Sequence, residues 1–159
     1  MAVPPLERRE ELPLTKAAEY LLEECRMILP GIQALFGFQL ISVFNQTFEQ
    51  KLSAGEQQLH LVAIILIVIA IAMVMTPAAY HRETGGKTVS ETFLRVSTRL
   101  VVVSMIPLAL GICIDFYLVA RIITGGYAIP LVAVPLFFIF VLLWFVLPRW
   151  KSLQRLLSR

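Results

Sequence analysis

Apolar residues fall into four long blocks divided by short polar connections. A helix needs about 20 mostly apolar residues to cross a hydrocarbon core of about 30 Å. The pattern predicts four such spans, at about residues 27–48, 59–80, 100–120 and 129–147, the third continuing a helix that begins near Ser90. Gly85-Gly86 and Gly125-Gly126 mark turns after the second and third spans. Pro130 suits the first turn of the fourth span, where its missing N–H costs nothing. Pro148 follows that helix, and Trp144 and Trp150 stand where aromatic side chains anchor at a membrane interface. Ahead of the first block, Leu14, Ala18, Leu21, Cys25 and Ile28 recur at spacings of three and four. This predicts an amphipathic helix over 15–26, lying on the interface or continuing the first span outward. The expected organisation is an N-terminal segment (1–26), a four-helix transmembrane domain (27–148) and a basic tail (149–159).

Composition agrees. Hydrophobic residues make up 58% of the 159 and charged ones 16%, against about 45–50% and about 25% in soluble domains. The spans use up nearly the whole length and leave no room for a sizeable extramembrane domain. Residues 1–26 hold six glutamates and no apolar core, so they do not resemble a cleavable signal peptide. Cys25 and Cys113 fall at different depths, so a disulfide between them is not expected, and both read as small buried hydrophobes.

Charge adds direction. Lys and Arg number four before the first span, one in the first connection, four in the second, one in the third and four in the tail. Cytoplasmic segments carry the basic excess, so both termini are expected inside. The net charge of +3 suits a membrane protein facing anionic lipid; no separate basic module or aromatic nucleic-acid motif occurs.

Three polar constellations stand out within this frame. The first is Glu23, Glu24 and Arg26 entering span one, expected to face Arg95 and Arg99 entering span three. An interhelical clamp with lipid contacts, an ion or proton entrance, and a solvated surface are the three readings. The second lies in span one, where Gln39, Ser42 and Gln46 share one side and Arg26, Gln33 and Gly37 the opposite side. Two polar faces predict a central helix touched on all sides, its side chains serving as packing glue or lining a wet path. The third is Ser97, Ser104 and Gly111 at seven-residue intervals in span three, with Asp115 one turn on and Pro107 beside the stripe. Spans one and three would then form the polar interior. Asp115 is the sole aspartate and the sole acidic residue inside a span; Arg121 and His60 are its expected partners. A structural pair and a proton or cation site are both open readings for it.

No GxSxG, HExxH, CxxC or Walker loop occurs, and His60 and His81 fall on opposite membrane sides. Neither catalysis, a cofactor nor a metal is expected. The stretch Glu24-Cys25-Arg26-Met27-Ile28-Leu29-Pro30-Gly31-Ile32-Gln33-Ala34-Leu35-Phe36 resembles a family of small bacterial membrane proteins known as domain of unknown function 6328. The resemblance continues at Thr76-Pro77-Ala78-Ala79-Tyr80-His81-Arg82 and from Arg95 to Arg99, and spans about residues 15–150. Leu29-Pro30 departs from the Gln-Thr expected in many relatives. The family implies no site residues, although some members carry the label of sodium:proton antiporter. The sequence therefore leads to an all-α, four-helix transmembrane bundle of the cytoplasmic membrane with both termini inside. Two roles remain open: a proton or monovalent-cation transporter or channel component, or a non-transporting accessory subunit. The candidate residues are Asp115, Gln33, Gln39, Gln46, Arg99, Glu23, Glu24 and Arg26, and the expected partners are the lipid bilayer, a second copy or another membrane protein.

Overall fold

Local signals set where each helix begins and ends. A computed structural model describes residues 12–83, 89–124 and 130–150. Helix α1 (Leu14–Val43) follows Pro13, whose carbonyl accepts the first helical hydrogen bond from Ala17 at 3.0 Å. It ends where Phe44 and Asn45 donate back only three residues, to Ile41 and Ser42, tightening the last turn. The chain restarts as the short α2 (Gln46–Lys51). Helix α3 (Ala54–Glu83) opens on a capping box: the Glu56 carboxylate accepts from Ser53 N–H at 2.8 Å, and Ser53 Oγ faces Glu56 N–H at 3.4 Å. Helix α4 (Glu91–Thr124) is capped by Ser90, whose Oγ accepts from Phe93 N–H at 3.1 Å. Helix α5 (Pro130–Val141) runs into a π-helical turn, Leu142–Val146.

Small residues decide how the helices meet. Along α3, Ala63, Ile67, Ala70 and Val74 are buried at helical spacing, and along α4 so are Ser97, Val101, Ser104 and Gly111. These two stripes form the most extensive interface of the fold. The approach is closest at Gly111, where an added Cβ would lie 2.8 Å from Ile67 Cδ1 and 3.3 Å from the Ala63 carbonyl oxygen. Helix α1 lies in the groove beside this pair, burying Ala18, Leu21, Cys25, Ile32 and Gln39. Leu21, Cys25, Ile32, Ile67, Val74 and Val101 make a continuous apolar core. Helix α5 packs against α4. Cys25 and Cys113 are buried free thiols, as their depths implied.

The amphipathic stripe over 15–26 continues the first span outward as the first part of α1, and Ala18, Leu21 and Cys25 face the core. Among the described residues three helices, α1, α3 and α4, are long and apolar enough to cross a membrane, and the fourth apolar block forms a twelve-residue α5 and a five-residue π turn. The interior is shared by α1, α3 and α4 rather than held by the first and third spans alone, because the small residues that permit close approach lie on α3 as well as α4. Helix α1 is covered on one side only: Gln33 on its other face is exposed, and nothing lies within 4 Å of a Cβ built at Gly37. The two double-glycine turns and most of the basic tail lie outside the described residues.

The α3–α4 contact generates a test. Gly111→Ala forces Ile67 to rotate, and Gly111→Val also presses on the Ala63 carbonyl, which cannot move alone. We expect Gly111→Val to cost about 1–3 kcal/mol of stability by overpacking, with Gly111→Ala costing less. Pairing Gly111→Ala with Ile67→Val should recover most of the loss, read by thermal unfolding in detergent.

A buried amide, carboxylate and imidazole at one end of the bundle

Helices α1 and α4 run one way and α3 the other, so the end of α1, the start of α3 and the end of α4 share one end of the bundle. That placement brings Gln39, His60 and Asp115 together from three helices. Gln39 Nε2 donates to Asp115 Oδ2 at 2.6 Å. The other carboxylate oxygen, Oδ1, lies 3.3 Å from His60 Nδ1, out of line for a hydrogen bond, so it has no hydrogen-bond partner. His60 Nε2 lies 3.1 Å from both the Gln39 carbonyl oxygen and Ser42 Oγ. Ser42 Oγ itself donates to the Gln39 carbonyl at 2.7 Å. The ring edge of Phe48, from α2, closes over the imidazole at 5.2 Å between centroids.

Hydrogen positions follow from what each atom can do. The Gln39 carbonyl can only accept, and the one hydroxyl hydrogen of Ser42 is committed to it. His60 Nε2 therefore carries the hydrogen that faces both oxygens. Nδ1 then presents either a second hydrogen or a lone pair to Asp115 Oδ1. The His60–Asp115 contact thus sets an imidazole nitrogen and a carboxyl oxygen 3.3 Å apart with no hydrogen bond between them.

Burial makes the arrangement consequential. Gln39 and His60 are only 4% and 6% exposed. Gln39 Oε1 is a second buried acceptor with no hydrogen-bond partner. All four polar side chains line a cavity of about 220 Å³ whose other walls include Phe38, Phe48, Leu52 and Val119. Among the described residues no cluster of three or more His, Cys, Asp or Glu could hold a metal ion.

Of the candidates named from sequence, Gln39 and Asp115 meet, with Ser42 beside them. Asp115 faces His60 and not Arg121. Arg121 pairs through Nε with Glu56 instead, because the α3 cap holds that carboxylate at the same end of the bundle. Gln46 is separated from Gln39 and Ser42 by the turn at Phe44–Asn45, starts α2 and is exposed. Gln33 points away on the uncovered face of α1. Glu23, Glu24, Arg26, Arg95 and Arg99 are exposed at the opposite end and form no ion pair among the described residues. The expected clamp is absent there because α1 packs mainly on α3, leaving those side chains turned outward. Sequence reasoning missed the Glu56–Arg121 pair, although the Ser53-x-x-Glu56 spacing announced the cap that positions it.

The model of a family of unknown function, DUF6328, matches residues 9–148, and the chain belongs to that family. No curated protein and no solved structure matches the chain.

The hydrogen inventory predicts how substitutions at the cluster behave. His60→Leu strands a buried carboxyl and should destabilise by about 3 kcal/mol, as removing one member of a buried pair does. Asp115→Asn should cost less than about 1 kcal/mol, since its amide oxygen still accepts from Gln39 and no buried charge is left. Thermal unfolding in detergent checks both expectations.

Proposed function

We propose that this chain is a four-span protein of the cytoplasmic membrane, both termini inside, that binds and hands on a proton or a monovalent cation at His60, Asp115 and Gln39. The orientation rests on the alternation of basic residues, which assigns the cluster's end to the outer side, where the first and third connections hold only Lys51 and Arg121. The observation that carries the reading is the cluster itself: a carboxyl–imidazole contact, with buried acceptors at Gln39 Oε1 and Asp115 Oδ1 beside a cavity. Ionisable groups within spans are expensive, and they are kept chiefly where a path for ions or protons requires them.

A specific observation favours a second reading, an accessory subunit that does not transport. Between this cluster and the opposite end, the described interior is the apolar core of Ile32, Ile67, Val74 and Val101, so one chain offers no continuous polar route. On the first reading the route is completed by a second copy or another membrane protein. The uncovered face of α1, with Gln33, is where such a neighbour fits. This is an activity of binding and transfer, not of catalysis.

Reconstitution separates the two readings. Purified protein in liposomes should dissipate an imposed proton or sodium gradient above protein-free vesicles, and Asp115→Asn should reduce the rate by about tenfold or more, as loss of an intramembrane relay group does. Flux no faster than in empty liposomes, together with a stoichiometric membrane partner recovered by crosslinking in mild detergent, would establish the accessory role.

A further inference from the structure

A second cavity, of about 300 Å³, opens between α1 and α3 at the end of the bundle opposite the cluster. Its lining joins Arg26 of α1 with His81 and Arg82 from the last turn of α3. No carboxylate is among the lining residues, although Glu23, Glu24 and Glu83 are close in sequence. Arg26 and Arg82 are exposed and make no ion pair among the described residues. The walls change character with depth. Leu29 lies one turn beyond Arg26, and Val74 and Met75 lie two turns before Arg82, so the crevice becomes apolar toward the middle of the bundle. Cationic groups at the mouth and hydrocarbon below match an amphiphile with an anionic head.

We propose that the crevice between α1 and α3, bounded by Arg26, His81 and Arg82 over Leu29, Val74 and Met75, is a binding site for an anionic phospholipid. Two guanidinium groups on facing helices can clasp one phosphodiester with paired hydrogen bonds. The apolar wall takes the first carbons of an acyl chain. Basic crevices between helices on the inner side of a membrane protein are suited to such headgroups. A zwitterionic lipid would set its own cation against the same arginines, and a free phosphate would leave the apolar wall uncovered. The lipid joins α1 to α3 through Arg26 and Arg82, which make no ion pair among the described residues. The site rests on the membrane reading, not on any transport.

The test is lipid retention by the purified full chain, measured by native mass spectrometry after delipidation and titration with phosphatidylglycerol or phosphatidylcholine. Phosphatidylglycerol should be retained and phosphatidylcholine not. Arg26→Gln with Arg82→Gln should weaken retention on the order of tenfold or more. Arg95→Gln with Arg99→Gln, which removes equal charge at the same end but outside the crevice, should leave it unchanged. Met75→Trp, which fills the crevice and keeps both arginines, should also abolish retention while the gel-filtration profile is preserved. Equal retention of both lipids, equal loss in the two arginine pairs, or displacement by millimolar inorganic phosphate would overturn the proposal. Release of the chain from membranes by alkaline carbonate without detergent would overturn the membrane reading beneath it.

Discussion

The close approach of α3 and α4 is the constraint on which the rest of the structure depends. In a bilayer the lipid tails are as apolar as the helix surfaces, so helices gain little by merely hiding hydrocarbon. What they gain comes from contact, and contact requires backbones that can come near. Gly111 against Ile67 and the Ala63 carbonyl provides that approach, and Ala70, Ser97 and Ser104 extend it along the helices. Once the pair is set, its register brings His60 opposite Asp115 and Glu56 opposite Arg121. Helix α1 then needs only to lie in the adjoining groove for Gln39 to reach the carboxyl.

The polar cluster exploits a property of such an interior. Each donor and acceptor placed there must be satisfied by protein, because solvent cannot serve. Most are: Ser104 Oγ donates to the carbonyl of Val101 at 2.6 Å, and Ser42 to that of Gln39. The two exceptions, Gln39 Oε1 and Asp115 Oδ1, belong to residues already joined by a hydrogen bond. Unsatisfied groups gathered at one point, beside a cavity, differ from the scattered imperfections of ordinary packing. The same chain leaves the opposite end, with Arg26, Arg95 and Arg99, open and outward-facing. Its two ends therefore differ in character, one enclosed and one exposed.

Much of this was legible in the residues. Long apolar blocks announced the helices, the seven-residue recurrence of Ser97, Ser104 and Gly111 announced the tight face of α4, and Asp115 announced itself by being alone. Helix periodicity also put Gln39 and Ser42 on one side. What the sequence did not disclose was which helix pairs with which. Ala63 and Ala70 are ordinary members of an apolar run, and their role as a notch exists only opposite Gly111. The partner of Asp115 was undecided between His60 and Arg121 for the same reason. A carboxylate at Glu56, placed by a cap a turn earlier, takes the arginine and leaves the imidazole. The end of α1 was also hidden, because nothing apolar or polar about Phe44 and Asn45 distinguishes a tightened turn from continued helix, so Gln46 was assigned to the wrong helix.

Glu56 has a consequence beyond its own pair. One carboxylate fixes both the first turn of α3, through Ser53, and the last turns of α4, through Arg121. Sliding one helix past the other by a single residue, about 1.5 Å, would break the cap and the ion pair together. The same slip would drive the Ile67 side chain off the Gly111 notch and carry His60 away from Asp115. Helices α3 and α4 are thus pinned at three heights and form a fixed rail. Any rearrangement of the polar cluster has to come from α1 tilting or turning against that rail, with Gln39 as the hand that lets go.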